Sequence, residues 1–325
     1  MSSDAVFVTG GSGFIGAAVV RRLQAAGQKC IVLDCAKPAD PDCEFRQLDV
    51  AHLDPCLEAL EGAKRVVHLA GLVAGPANGN PYLAATINVG GTANILEACR
   101  LSGVERLVYA STFFVYEDCG LDEVNEDTRL DAAGMGPFAR SKFVGEQLAR
   151  DYQKKYKLSA AGLRFGSVYG PGKGSNVVND FVEQAIRGEE IVVWGEGARH
   201  RQFIYLDDIA ESVECALRSS ASGVFSIAGA EQTSTRQVLE SIQARLPSTR
   251  LTFDRTKPEK VQPYRMSLDR AQTELGWSPR TSIEDGIEHT IAWSAKASFG
   301  TQSAPAEASS ETPNPAAKEV ARPSA

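Results

Sequence analysis

The sequence predicts an α/β fold, a doubly wound parallel sheet with a smaller, discontinuous unit toward the C-terminal side. Three observations predict it. Short apolar runs alternate with amphipathic, helix-like stretches as far as Ile227, a rhythm that belongs to parallel sheets covered by helices. A glycine-rich turn joins the first run to the first helical stretch. The chain has 325 residues, enough to bury one such sheet domain and a small appended one.

Ala5-Val6-Phe7-Val8 is a continuous apolar run of strand length, as expected of a strand buried on both faces. Thr9-Gly10-Gly11-Ser12-Gly13-Phe14-Ile15-Gly16 follows, and Ala17 to Ala26 has helical spacing. Strand, glycine turn and helix start bring backbone N–H groups and a positive dipole end to a diphosphate, and glycine lets the backbone come close to it. The next run, Cys30-Ile31-Val32-Leu33, ends in Asp34. A carboxylate at that distance accepts hydrogen bonds from an adenosine ribose and repels a 2′-phosphate, which favours NAD over NADP.

After strands at 5–8 and 30–33, further strands are predicted at 65–69, 106–110, 159–163 and 224–227. The cofactor-binding domain then comprises 1–167 plus about 204–228, and the substrate-binding domain about 168–203 plus 229–295. Ligands of such folds sit in the crevice outside the strand carboxyl ends. From Lys296 the composition turns to Ala, Ser, Pro, Glu and Thr, so 296–325 is expected to be a disordered tail.

Composition narrows the function classes. The formal net charge is −7 with scattered positive residues, which argues against nucleic acid as a partner. Seven cysteines, Cys30, Cys35, Cys43, Cys56, Cys99, Cys119 and Cys215, form no Cys-x-x-Cys pair and are expected as reduced thiols of a cytoplasmic protein. Four scattered histidines suggest no metal site. No apolar run is long enough for a bilayer, and the first strand begins too early for a signal peptide.

One pair stands out against this background. In Gly136-Pro137-Phe138-Ala139-Arg140-Ser141-Lys142-Phe143-Val144-Gly145-Glu146-Gln147, positions 138 and 142 are four apart on a predicted helix, so their side chains meet on one face. A tyrosine beside Lys142 would ionise more readily and could pass a proton during hydride transfer. Phe138 has the ring without the oxygen.

The chain resembles the extended short-chain dehydrogenase/reductase superfamily, in its NAD-dependent epimerase/dehydratase branch, which includes the sugar-nucleotide 4-epimerases. Ordered matches carry the resemblance to about residue 294. They include Gly10, Gly13 and Gly16 at one-four-seven spacing, Leu48-Asp49-Val50, and His68-Leu69-Ala70-Gly71. Asn88 lies in Ile87-Asn88-Val89-Gly90-Gly91-Thr92-Ala93-Asn94, and Thr112 in Tyr109-Ala110-Ser111-Thr112-Phe113-Phe114-Val115-Tyr116. Leu163-Arg164-Phe165-Gly166-Ser167-Val168-Tyr169-Gly170-Pro171, Arg201-Gln202-Phe203-Ile204-Tyr205-Leu206-Asp207-Asp208 and Leu275-Gly276-Trp277-Ser278-Pro279 complete the series.

The resemblance implies a Rossmann-like fold and NAD as cofactor. It places Gly10, Gly13, Phe14, Ile15, Gly16, Asp34, Asp49, Val50, Leu69, Ala70, Gly71, Asn88 and Lys142 around NAD, with Thr112, Phe138 (the family's tyrosine position) and Lys142 as the catalytic set. The implied substrate is a nucleotide-diphosphate sugar, met by Ser167, Asn176, Arg201 and Lys257. Arg201 suits a diphosphate because a planar guanidinium pairs two oxygens at once; Lys257, in Lys257-Pro258-Glu259-Lys260 where the family often has an arginine, offers a single-point contact. A homodimer through the helix of residues 138–150 is implied as well, with Phe143, Leu148 and Tyr152 either in that interface or in the monomer's core.

The chain departs from the family at informative places. Phe113 and Phe114 stand where dehydratases have Asp-Glu, which argues against 4,6-dehydration, and Ser167 replaces an asparagine. Three functions remain open at this stage. One is an active epimerase or related enzyme in which Thr112, a water or a substrate group replaces the phenol; the second is a silenced NAD- and nucleotide-sugar-binding pseudoenzyme. The third is a Tyr-to-Phe inactivated form of an ordinary epimerase.

Overall fold

The structure, a computed structural model, describes residues 3–301 apart from 118, 173, 175 and 260–263. Seven strands, β1 Ser3–Thr9, β2 Cys30–Asp34, β3 Glu44–Gln47, β4 Ala63–His68, β5 Arg106–Thr112, β6 Ala160–Phe165 and β7 Gly223–Ile227, form one sheet. All neighbouring pairs are parallel, and the order across the sheet is β7-β6-β5-β4-β1-β2-β3. Six of these strands carry the apolar runs expected from sequence. β3 does not: Glu44–Gln47 is an edge strand whose residues are half-buried or exposed, so it has no apolar run to announce it.

Alternation along each strand divides the core into two layers. Val6 and Val8 point into one, with Val19, Leu23, Val213, Phe225 and Trp277. Ala5 and Phe7 point into the other, with Ile31, Val66, Ile95 and Leu96. The covering helices include α1 Phe14–Ala25, α2 Gly91–Ser102, α3 Pro137–Tyr156, α4 Val177–Ile186, α5 Leu206–Arg218, α6 Thr235–Arg245 and α7 Ile283–Thr301. Helix α1 begins at Phe14, three residues before the start read from sequence, because the glycine turn feeds directly into its first turn.

A separate apolar cluster holds the C-terminal unit together. Val178 and Val182 of α4, Val238 and Leu239 of α6 and Ile287 of α7 pack there against Ile191, Val193 and Phe203. A parallel pair, Glu190–Trp194 with Arg250–Asp254, forms its small sheet. Helix α7 continues through Thr301, past the boundary at Lys296 drawn from composition; residues 302–325 of the expected tail lie outside the described residues.

Candidate functional site

The carboxyl ends of β1, β2, β4 and β5 carry most of the predicted positions. Gly10 has φ +71, and a Cβ there would lie 2.5 Å from the Ala70 nitrogen. A Cβ on Gly16 would overlap the Gly10 carbonyl oxygen. Both glycines are therefore required by close backbone approach. Gly13 caps α1 without any side-chain hydrogen bond, so the helix presents its first N–H groups outward, as an anion requires. Phe14 is half-buried under the loop that holds Gly172 and Gly174, and Ile15 packs against the sheet's core.

Asp34 closes the other side of this turn. Its Oδ2 accepts from Ser12 N at 3.0 Å and its Oδ1 from Ala36 N at 3.2 Å. Each carboxylate oxygen keeps a lone pair, so ribose hydroxyls can still bind at this half-buried rim. Asp49 is exposed and accepts from Ala51 N at 2.9 Å, whereas Val50 is buried and its carbonyl accepts from Asn94 at 2.8 Å. The donors, the glycine cradle and the carboxylate together fit a dinucleotide.

Leu69, Ala70 and Gly71 follow β4, where Leu69 N donates to Thr9 O at 3.0 Å and Ala70 N to Thr9 Oγ1 at 3.4 Å. Asn88 is buried on a π-helical turn, Ala84–Gly90, the kind of local widening that often marks a functional position. It accepts from Leu72 N at 2.7 Å, donates to Leu72 O at 3.2 Å, and donates to Ser141 Oγ at 3.0 Å. A Cβ on Gly71 would stand 2.9 Å from Asn88 Oδ1 and 3.3 Å from Lys142 Nζ. Missing bulk at Gly71 is thus what admits the Lys142 ammonium and the Asn88 amide.

Burial pulls the Lys142 ammonium down to about 8, and among the described residues no carboxylate pairs with it. His68 lies behind it, between Thr9 Oγ1 at 2.7 Å and Thr92 Oγ1 at 3.2 Å. Burial first, and then the charge of Lys142, push this imidazole down to about 3. The histidine is therefore neutral at physiological pH, which avoids a second positive charge beside the lysine.

Thr112 ends β5, is buried, and caps a 3₁₀ turn by accepting from Phe114 N at 3.3 Å. Phe138 starts the second position of α3, with its amide donating to Asn78 Oδ1 at 3.0 Å. Its half-buried ring meets Phe114 edge to face at 5.9 Å between centroids, and Phe114 lies 4.2 Å from Phe113. Three phenylalanine rings therefore gather at the end of β5 and the start of α3.

Beneath them runs a buried network that sequence inspection did not single out. Arg164 of β6 grips Glu146 of α3 with two hydrogen bonds, 2.9 and 2.7 Å, and donates to Tyr116 OH at 2.7 Å. Ser111, next to Thr112, donates to the same Glu146 at 2.5 Å. The strand that carries Thr112 is thereby tied to the helix that carries Lys142. Glu146 lies one helical turn beyond Lys142, the one signal in the sequence that pointed this way.

The expected substrate residues are more dispersed. Ser167 pairs in a short parallel ladder with Phe203, and its amide donates to Gln202 O at 3.2 Å. Asn176 is the N-cap of α4: its side chain accepts from Asn179 N at 3.0 Å. Lys257 is exposed on the turn after Arg250–Asp254. Arg201 is half-buried, and its Nε has no hydrogen-bond partner among the described residues. Burial and neighbouring Arg199 draw it down to about 10, against Glu117 and Tyr264. Because Tyr264 OH donates to Phe113 O at 3.2 Å, Arg201 shares its surroundings with the Thr112–Phe113 segment.

Phe143 packs with Met135 and Ala139, while Leu148 and Tyr152 pack on the second core layer. All three are half-buried and pack against the chain's own apolar clusters. Among the described residues no group of acidic, histidine or cysteine side chains is arranged for a metal, and no helix is long and apolar enough to cross a membrane.

Known proteins resemble this chain in sequence and fold. Residues 6–228 match the model of the NAD dependent epimerase/dehydratase family. The UDP-glucose 4-epimerase of Mycolicibacterium smegmatis is 28% identical over 304 residues, 87% of this chain and 96% of that protein. The crystal structure of the Thermotoga maritima UDP-glucose 4-epimerase with UDP-glucose superposes with a TM-score of 0.82 at 25% identity, over 90% of this chain and 99% of that one. The Thermus thermophilus UDP-glucose 4-epimerase in complex with NAD gives 0.78 at 28% identity, with the same coverage.

Proposed function

The chain belongs to the NAD dependent epimerase/dehydratase family, and from that premise we propose that it binds NAD and a nucleoside-diphosphate sugar and epimerises the sugar through transient oxidation at C4. The observation that carries this is that Lys142 Nζ and Asn88 Oδ1 both gather beside Gly71, just after β4. Bound NAD would supply the hydride acceptor for C4 and the hydride donor for its return to the opposite face of the sugar. Gly10, Gly13 and Gly16 hold its diphosphate, Asp34 its adenosine ribose, and Lys142 its nicotinamide ribose.

The chain's own residues move the proton. Thr112 accepts the hydrogen bond of the C4 hydroxyl and relays the proton to Lys142, which at about pKa 8 is in part a neutral amine near neutral pH. The same proton goes back when the hydride returns, so the cycle balances without an external acid. A positioned acid/base is worth about 10²–10⁴-fold; a lysine standing in for a phenol keeps part of that. Phe113 and Phe114 supply neither the acid nor the base of a 4,6-dehydration.

One observation favours a second function. The Phe138 ring is seated edge-on against Phe114, a fully apolar contact suited to a protein that binds NAD and a nucleotide sugar without turnover, whether silenced by nature or by a Tyr-to-Phe change. Assembly as a cytoplasmic homodimer through α2 and α3 completes the proposal; exposed Leu101 and Tyr156 lie at their ends.

The test is conversion. Purified protein is assayed for bound NAD, then incubated with UDP-, GDP- and dTDP-sugars while epimers are separated by chromatography. Appearance of one epimer supports the enzyme; NAD and sugar-nucleotide binding without any product assigns the silenced form.

A further inference from the structure

Arg199 stands beside Arg201 on an extended segment. His200 and Arg201 pair antiparallel with Ser234 and Thr233, and the Arg199 carbonyl continues the ladder by accepting from Thr235 N at 2.9 Å. Residues two apart on such a segment point to the same side, so the two guanidinium groups share a face while His200 turns away. Both are half-buried, and neither Nε has a hydrogen-bond partner among the described residues. Arg199 acts on Arg201 as a like charge, only partly offset by Glu117, and an anion bound between the two guanidinium groups would relieve that repulsion.

Glu117 is the carboxylate that acts on Arg201, and a second one, on the neighbouring turn, is engaged by backbone. Glu259 accepts from the amides of Arg199 at 2.7 Å and Glu196 at 3.3 Å, so it fixes the backbone rather than neutralising the side chain. Glu259 also belongs to the turn of Lys257, and thereby latches that turn to the Arg199 segment. Lys257 itself is exposed and ends in a compact ammonium that cannot make a fork of two parallel bonds.

We propose that Arg199 is a second diphosphate-binding arginine of this chain, acting with Arg201 to clamp the diphosphate of the nucleotide substrate and taking the role that Lys257 is too exposed to fill. The inference rests on the nucleotide-sugar reading and adds to it a residue outside the signature that contains Arg201. The clamp recognises the diphosphate, so nucleoside and sugar contribute to affinity separately.

Calorimetric titration of the NAD-loaded protein with UDP, inorganic pyrophosphate and uridine tests it. Arg199→Gln is expected to weaken UDP about ten- to a hundred-fold, as loss of a charge-assisted fork does, and Arg199→Lys to restore only part. Pyrophosphate is expected to follow UDP, and weak uridine binding to stay unchanged. Arg255→Gln, which removes an exposed arginine paired with Glu196 at 3.0 Å, is the control for general charge and is expected to bind UDP normally. UDP affinity within twofold of the parent in Arg199→Gln, with a large loss in Arg201→Gln, would overturn the clamp. A parent protein that keeps NAD yet binds no UDP would instead overturn the nucleotide-sugar reading, and the clamp with it.

Discussion

Gly71 and Lys142 touch through the space where a methyl group would be: a Cβ on Gly71 would lie 3.3 Å from Lys142 Nζ. Gly71 also has φ +156, a backbone setting that residues with a side chain rarely adopt. Gly71→Ala is therefore expected to destabilise the protein by about 1–3 kcal/mol and to push Lys142 and Asn88 off their positions. Thermal melts and NAD titration check this; unchanged values for both would mean that Gly71 does not set the position of the lysine.

The Arg164–Glu146 pair has side chains only 4% and 2% exposed. Removing one partner leaves a buried charge alone, at a cost of about 3–5 kcal/mol. Arg164→Met should lose that much in urea unfolding. The double replacement Arg164→Met/Glu146→Leu should recover part of it, because no lone charge remains. If the single variant unfolds like the parent, the pair is not a structural link between β6 and α3.

Acid sensitivity follows from His68. Its pKa falls from about 6.5 unfolded to about 3 folded, so between these values the unfolded chain binds the extra proton. Stability is then full above pH 6.5 and declines as pH falls toward 3, by at most about 1.4 kcal/mol per unit from this residue. His68→Gln should flatten that slope in melts recorded from pH 7 to pH 4. An equally steep slope in the variant would assign the acid loss to other groups.

Lys142 has the same sign of shift, folded about 8 against an ordinary 10.5. Below pH 8 its charge is held in a buried place at a cost, and that cost disappears as pH rises from 8 to 10.5. Lys142→Met should thus be more stable than the parent at pH 7, even though it removes a functional group. A lower melting temperature in the variant would show that the ammonium is held by favourable contacts instead.

What was legible in the sequence divides along physical lines. Strands β1, β2 and β4 to β7 are buried on both faces, so each leaves an apolar run; β3, exposed at the sheet's edge, leaves none. Gly10 and Gly16 could be named because a glycine turn has fixed spacing, and the structure supplies the reason in Ala70 and the Gly10 carbonyl. Asn176 was assigned to the ligand, and its hydrogen bond shows the additional task of capping α4. The Ser111–Glu146–Arg164 network was not found, because it depends on which segments meet in space, whereas Arg199 lies two residues before Arg201 but outside the signature that drew attention to it. Charge pairing across 18 residues, as between Glu146 and Arg164, has no periodicity to reveal it.

In the proposed reaction the proton passes through Lys142 without a phenol at 138. Stopped-flow absorbance of bound NAD after mixing with a saturating nucleotide sugar, between pH 6 and pH 9, measures it most directly. The parent protein is expected to reduce its NAD, with a rate that rises toward pH 8. Phe138→Tyr should change that rate by less than about tenfold, and Lys142→Met should lower it by at least about 10²-fold. A parent protein that shows no reduction at any pH, with reduction appearing only in Phe138→Tyr, would contradict it.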